Sequence, residues 1–359
     1  MAAAEFRRVP LTLSLCALCV VLTASSWGEL NVRFLLEDPL RSTLEPWRFV
    51  TSTFFHVDFI HLFFNVAWLW LLGSALEQDI GRLRLLALMI ASAFTSSAWQ
   101  LALVEEGVGA SGCVYALYAF AWLLRNRPAL VGVVSPQRTL LMVGWFFICI
   151  VATARGDWNV GNVAHGVGAM TGALLGVAAR WEGARRIGAT ITLTVAVLGG
   201  YIGAALRPTV GVWANGTTEA RIGYELFTDG RTQESIPYLE QAARYRNAHP
   251  SFKYTLGLGY VRAGRPAEAV TVLRPLVAAA PDATDVSELL ADALRRVAVE
   301  SPPKEAIVLL EEAVRVAPKD SSVWFALAKA YGDAGRNEDF YRAAQRASAL
   351  APPEPPGEL

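Results

Sequence analysis

Residues 161–176 read Gly161-Asn-Val-Ala-His165-Gly-Val-Gly168-Ala-Met-Thr-Gly172-Ala-Leu-Leu-Gly176, and no proline or formal charge interrupts them. Gly161, His165, Gly168, Gly172 and Gly176 recur at intervals of three and four, which places them on one face of a helix. A glycine face lets a second helix approach closely in lipid. His165 therefore sits where a neighbour is nearest. An imidazole inside an apolar helix is costly and needs a reason. Packing alone could supply it, so the rest of the chain decides.

Working outward, the stretch is one of a series of apolar runs: Leu11–Trp27, Ile60–Leu76, Leu83–Val104, Ser111–Leu124, Thr139–Thr153, Val160–Ala179 and Ile187–Leu206. Seven spans are expected, the fourth short against the ~20 residues of a full crossing. A short helix is tolerable where protein surrounds it and water reaches one end. The whole chain of 359 residues is 53% hydrophobic, and its mean hydropathy of +0.34 is too high for an ordinary soluble protein. Its zero net charge hides two regions suited to different solvents, apolar to about Arg207 and charged and alanine-rich beyond. The first run, after Arg7 and Arg8, resembles a signal peptide. An uncleaved span is expected instead, because the charge pattern of the later spans requires it.

Arginine fixes the orientation. Arg7 and Arg8 precede the first span, Arg82 and Arg84 follow the second, Arg125, Arg127 and Arg138 follow the fourth, and Arg180, Arg185 and Arg186 follow the sixth. Alternating spans put them all on one side, the cytoplasmic one. The segment from Gly28 to Phe59 then lies outside, and after an odd number of spans so does the C-terminal region. Arginine outweighs lysine, and no lysine precedes Lys253. That bias points to a bacterial genome and so to the inner (cell) membrane.

Cys16, Cys19, Cys113 and Cys149 all lie in apolar runs without disulfide or zinc spacing, and read as small core residues. Balanced charge and the lack of any recognition motif exclude a nucleic-acid partner.

Two more polar clusters fall at the depth of His165. In His61-Leu-Phe-Phe-Asn65 the polar residues are four apart and share a face. In Gly109-Ala-Ser111-Gly112 a serine heads a span between glycines, where free backbone N–H groups and the positive helix end suit a developing oxyanion. Each cluster alone is a weak signal. Together they bring a nucleophile, a base and oxyanion donors to one level near the outer side. A metal on His56, His61 and His165 is a second reading, without the paired-histidine-plus-glutamate pattern of membrane zinc proteases. A membrane-anchored, non-catalytic scaffold whose polar residues only pack helices is a third.

From Pro46 to Arg180 the chain resembles the rhomboid family of intramembrane serine proteases. The resemblance rests on Trp47-Arg48, His56, His61-x-x-x-Asn65, Gly73-x-x-x-Glu77, Gly109-Ala-Ser111-Gly112 with Tyr115, and Ala164-His165-x-x-Gly168-x-x-x-Gly172. It implies an all-α polytopic membrane bundle of six core spans plus a seventh. It implies Ser111 as nucleophile and His165 as base, with no carboxylate, no metal and no cofactor. Tyr115 would orient the imidazole. Asn65, His61 and the Ser111 N–H would bind the oxyanion beside Gly109. Trp47, Arg48, Glu77, Gly168 and Gly172 would be structural, and the fifth span and outer loops would gate the site. The implied substrates are transmembrane proteins, cut near the outer membrane face.

Beyond a linker at 208–218, Leu256-Gly257-x-x-Tyr260 recurs as Leu327-Ala328-x-x-Tyr331, and Gly264 and Gly335 follow each tyrosine by four. Pro250, Pro281, Pro318 and Pro352 end successive units with a mean period of about 34 residues, that of the tetratricopeptide (TPR) repeat. About four helix pairs are expected over 219–352, stacked as an α-solenoid that binds a protein or peptide partner. Ser301-Pro302-Pro303 reads as an expanded turn, and 353–359 as a disordered tail. The domain layout is thus a membrane protease domain over 1–207 followed by the repeats.

Overall fold

The computed structural model describes residues 8–28, 32–207, 215–246 and 248–351. Arg7, Pro352, the tail 353–359 and most of the expected linker lie outside the described residues. The chain divides into two compact units, Met1–Ala214 and Asn215–Leu359. Both are helical, with no strand among the described residues.

The first unit contains α1 Pro10–Trp27, α2 Phe59–Ile80, α3 Arg82–Leu103, α4 Ser111–Leu123, α5 Pro136–Arg155, α6 Asn162–Arg180 and α7 Ala184–Ala205. Six of these are long and apolar enough to cross a membrane, and α4, with 13 residues, is the short apolar one. At 1.5 Å per residue α4 is about 20 Å long, so it relies on its neighbours. They enclose it: Cys113, Ala116, Leu117 and Ala121 are fully buried. Its closest partner is α6. A Cβ on Gly168 would fall 2.1 Å from the Gly112 carbonyl oxygen, and one on Gly172 1.9 Å from that of Ala116. The glycine face read from the sequence is thus a backbone-to-backbone seam. Gly176, one turn further, meets only the Leu123 side chain, and Gly161 lies by Gln100 of α3.

The opposite ends of these helices are tied by charge. Glu77 at the end of α2 accepts the Leu11 N–H (3.0 Å), the Thr12 N–H (2.7 Å) and the Thr12 hydroxyl (2.8 Å). The residue before α1, Val9, offers no side-chain cap. Glu77 supplies that cap from another helix, with negative charge at the positive helix end. Arg82 Nε lies 3.4 Å from the same carboxylate, Arg127 pairs with Asp79 at 2.8 Å, and Arg180 donates to the Leu123 carbonyl at 2.7 Å. Glu77→Ala strands three donors, two of them buried. The expected cost is about 3 kcal/mol, read as a fall of roughly 6–12 °C in the Tm of the purified protein.

The seventh helix packs on α3 through Gly199 and Gly200, which lie against Trp99. The Trp99 indole donates to the Ala196 carbonyl at 2.7 Å, and the Tyr201 hydroxyl donates to the Thr43 carbonyl at 2.6 Å.

The second unit stacks four helix pairs: α8 Thr217–Thr228 with α9 Thr232–Arg244, α10 Pro250–Arg262 with α11 Pro266–Ala279, α12 Thr284–Glu300 with α13 Pro303–Val316, and α14 Ser321–Asp333 with α15 Asn337–Leu350. Gly264 and Gly335 follow α10 and α14 with φ of +72° and +70°, the left-handed turn that glycine accepts without strain. The repeat extends to side chains. Tyr260 donates to Glu240 at 2.7 Å under the Arg265 guanidinium, and Tyr331 donates to Glu311 at 2.8 Å under that of Arg336. The extra residues of the third pair lengthen α12 to 17 residues rather than its turn, since only Ser301 and Pro302 separate α12 from α13.

Candidate active site

Ser111 opens α4, so the N–H groups of the first turn have no partner within the helix. The chain enters through Gly109, whose φ of +113° disfavours any side chain; a Cβ there would also fall 2.5 Å from Cε1 of His61. His165 lies one turn into α6 and is 4% exposed. The Gly168–Gly112 contact brings the two helices together beside it. Ser111 Oγ and His165 Nε2 are 2.8 Å apart, a hydrogen bond between residues 54 apart in the chain. The Tyr115 ring lies against the imidazole at 4.7 Å between centroids, and its hydroxyl donates to the Met142 carbonyl of α5 at 3.2 Å. Phe146 of α5 borders the imidazole at 6.5 Å. His165 Nδ1 has no hydrogen-bond partner, so no carboxylate stands behind it.

Asp58 caps α2 by accepting the His61 N–H at 2.8 Å. The His61 ring abuts Gly109 and contacts His56 edge-on at 4.9 Å. Asn65, buried, donates one amide hydrogen to the His61 carbonyl at 2.8 Å. The second hydrogen of its amide group remains. His56 precedes α2. Burial, then its neighbour His61, pushes its pKa down to about 3, so it is neutral at physiological pH. Its Nε2 accepts the Ala110 N–H at 3.4 Å. That leaves the ring proton on Nδ1, facing the Thr23 hydroxyl at 3.2 Å, which in turn donates to the Phe54 carbonyl. Among the described residues no group of three or more His, Cys, Asp or Glu side chains is arranged to hold a metal ion.

The structural expectations sort differently. Arg48, 3% exposed, donates to the Arg33 and Leu36 carbonyls at 2.6 and 2.7 Å and pairs with Glu45, anchoring the segment between α1 and α2. Trp47 is half exposed, and its indole reaches the Phe34 carbonyl at 3.4 Å.

Three polar groups near the site went unread in the sequence. Gln100 of α3 accepts the Ala164 N–H at 3.1 Å, one residue before His165. Glu37 accepts the Gly107 N–H at 3.0 Å. Buried Arg207 pairs with Glu105 at 2.6 Å. For Gln100 there was a signal. Ser92, Thr95, Ser96, Ser97 and Gln100 crowd one apolar run, and α3 is the most buried of the candidate spans.

Residues 43–182 match the family model of the rhomboid domain, and 226–293 that of the tetratricopeptide repeat. Rhomboid protease GlpG of Serratia proteamaculans (strain 568) is 33% identical over 178 residues, covering 46% of this chain and 61% of that protein. GlpG of Yersinia pestis (strain Pestoides F) gives the same figures. The chain thus spans 61% of the length of these relatives. Among solved structures, MamA 41-end from Desulfovibrio magneticus RS-1 is 25% identical, with 38% of this chain and 76% of that chain covered at a TM-score of 0.32.

Proposed function

We propose that this chain, which carries a rhomboid domain followed by tetratricopeptide repeats, is an intramembrane serine endopeptidase working through a Ser111–His165 dyad. The observation that carries the reading is the 2.8 Å contact between Ser111 Oγ and His165 Nε2, with Tyr115 stacked on the imidazole. His165 takes the Ser111 proton as Oγ attacks the scissile carbonyl, then returns it to the leaving amine. The acyl-enzyme is released by water through the same base. The Ser111 N–H, the second amide hydrogen of Asn65 and the His61 ring stabilise the oxyanion; a donor of this kind contributes about 10²–10³ in rate. His61 Nδ1 is buried without a partner, and a polar atom in that state favours a ligand that supplies one. Tyr115 holds the ring in place of the missing carboxylate.

Substrates in this reading are membrane-anchored proteins, cut near the outer face. That side follows from the arginines at the inner helix ends and from the dyad's position at the N-terminal ends of α4 and α6. The protein resides in a bacterial inner membrane. The repeats lie outside the cytoplasm and bind a protein or peptide partner.

A serine-directed fluorophosphonate tests the reading directly. Purified wild type is expected to be labelled, and Ser111→Ala is not. Equal labelling of both, or none in wild type, leaves a scaffold as the better account.

A further inference from the structure

The loop that delivers Ser111, residues 104–110, contains Gly107 and Gly109 and no regular structure. Such a loop has many conformations to lose. Three of its N–H groups are taken by the segment between α1 and α2. Glu37 Oε2 accepts that of Gly107 at 3.0 Å, the Ser52 carbonyl that of Gly109 at 3.5 Å, and His56 Nε2 that of Ala110 at 3.4 Å. Glu37 joins two of these grips, because its Oε1 also accepts the Ser52 hydroxyl at 3.3 Å. It is 6% exposed and spans 70 residues of sequence in reaching Gly107.

We propose that Glu37 is a positioning residue for the nucleophile loop. It holds Gly107 directly and Gly109 through Ser52, so that the Ser111 hydroxyl and N–H stand ready for the substrate carbonyl. The proposal rests on the Ser111–His165 reading. Nothing in the resemblance that marks the other site residues covers this position. Burial is the main influence on the carboxyl and pushes its pKa up to about 8. The Gly107 N–H and the hydroxyls of Ser97 and Ser52 oppose that rise, and Glu106, the charged group acting on it from the nucleophile loop, adds to it. At neutral pH the group is therefore largely a neutral acid. One oxygen accepts from Gly107, and the O–H is available to a neighbouring hydroxyl. A glutamine keeps an oxygen acceptor for the Gly107 N–H and sets its NH₂ beside the Ser52 hydroxyl, which turns from donor to acceptor. The folded pKa is raised by burial, so the stability contributed by this buried acid is fully present below the usual carboxyl range and is lost as pH rises through about 8, whereas the hydrogen bonds from Gly107 and Ser52 favour the ionised form and persist.

The test reads two quantities in full-length protein: the fluorophosphonate labelling rate of Ser111, and hydrogen exchange over residues 104–112. Glu37→Ala is expected to label at least tenfold more slowly and to lose protection in that segment. Cleavage should show a fall in kcat with little change in KM. Glu37→Gln should stay within about threefold of wild type. If Glu37→Ala does not accumulate, Glu37→Asp, one methylene short of Gly107, is read the same way. Wild-type labelling in the Ala or Asp variant, or unchanged exchange over 104–112, overturns the proposal while leaving the dyad intact. Absent labelling of wild type overturns the dyad reading and this proposal with it.

Discussion

Ser111→Ala and His165→Ala are each expected to lower the cleavage rate of a single-span model substrate by at least about 10⁴-fold, or ~5 kcal/mol of transition-state stabilisation. The two losses should not add. Without the base, Oγ stays protonated and is a poor nucleophile; without Oγ, the base has nothing to deprotonate. The double variant should therefore match the worse single one. No carboxylate backs His165 Nδ1, so the loss should fall short of that in an enzyme with a full triad. Variants must reach the membrane at wild-type levels for the comparison to hold. Neither change touches the seam, since Ser111 and His165 meet only through their side chains. Cleavage retained in both single variants would remove Ser111 and His165 as catalysts.

The second large effect lies in the seam itself. Gly168→Ala sets a methyl 2.1 Å from the Gly112 oxygen, and Gly172→Ala sets one 1.9 Å from that of Ala116. Backbone cannot yield as a side chain does, so the helices must part by more than 1 Å. Overpacking of this sort costs about 1–3 kcal/mol in stability. Catalysis should suffer more at Gly168, whose neighbour Gly112 follows Ser111. A displacement of ~1 Å between reacting groups can cost about 10² in rate. Gly176→Ala is the control. Its methyl meets Leu123 Cδ1 at 2.8 Å, the far end of a flexible side chain, and Leu123 Cβ at 3.2 Å, which needs a shift of only a few tenths of an ångström, and activity should stay within about threefold. Gly168→Ala with wild-type kcat and Tm would show that the two backbones are not in contact there. Equal losses at Gly168 and Gly176 would mean that the seam has no special geometry.

Much of this was legible beforehand because lipid narrows the choices. A chain in hydrocarbon must satisfy its backbone within helices, so apolar run lengths alone indicated α1 to α7. A polar residue in such a run stands out, which is why Ser111, His165, His61 and Asn65 could be picked without coordinates. The repeats were legible for another reason: a unit that must stack on its own copy repeats its contacts, as at Tyr260 and Tyr331. Loop residues carry no such periodicity. Glu37 lies ten residues before Trp47 in a stretch without pattern, and Arg207 sits at the boundary of two compositions. An acid in a loop looks solvated until its partners are known.

The sequence by itself determined the element types, the order of the apolar helices, the repeat period and the identity of the polar residues near one end of α2, α4 and α6. It did so because hydrophobic periodicity and glycine spacing are local properties of the chain. Only the tertiary structure decided which of those residues meet. Packing across the Gly168–Gly112 seam draws Ser111 and His165 to 2.8 Å. Burial turns Glu37 from a surface acid into a ligand of the loop before Ser111. Distance and burial arise between segments far apart in the chain, and no local pattern encodes them.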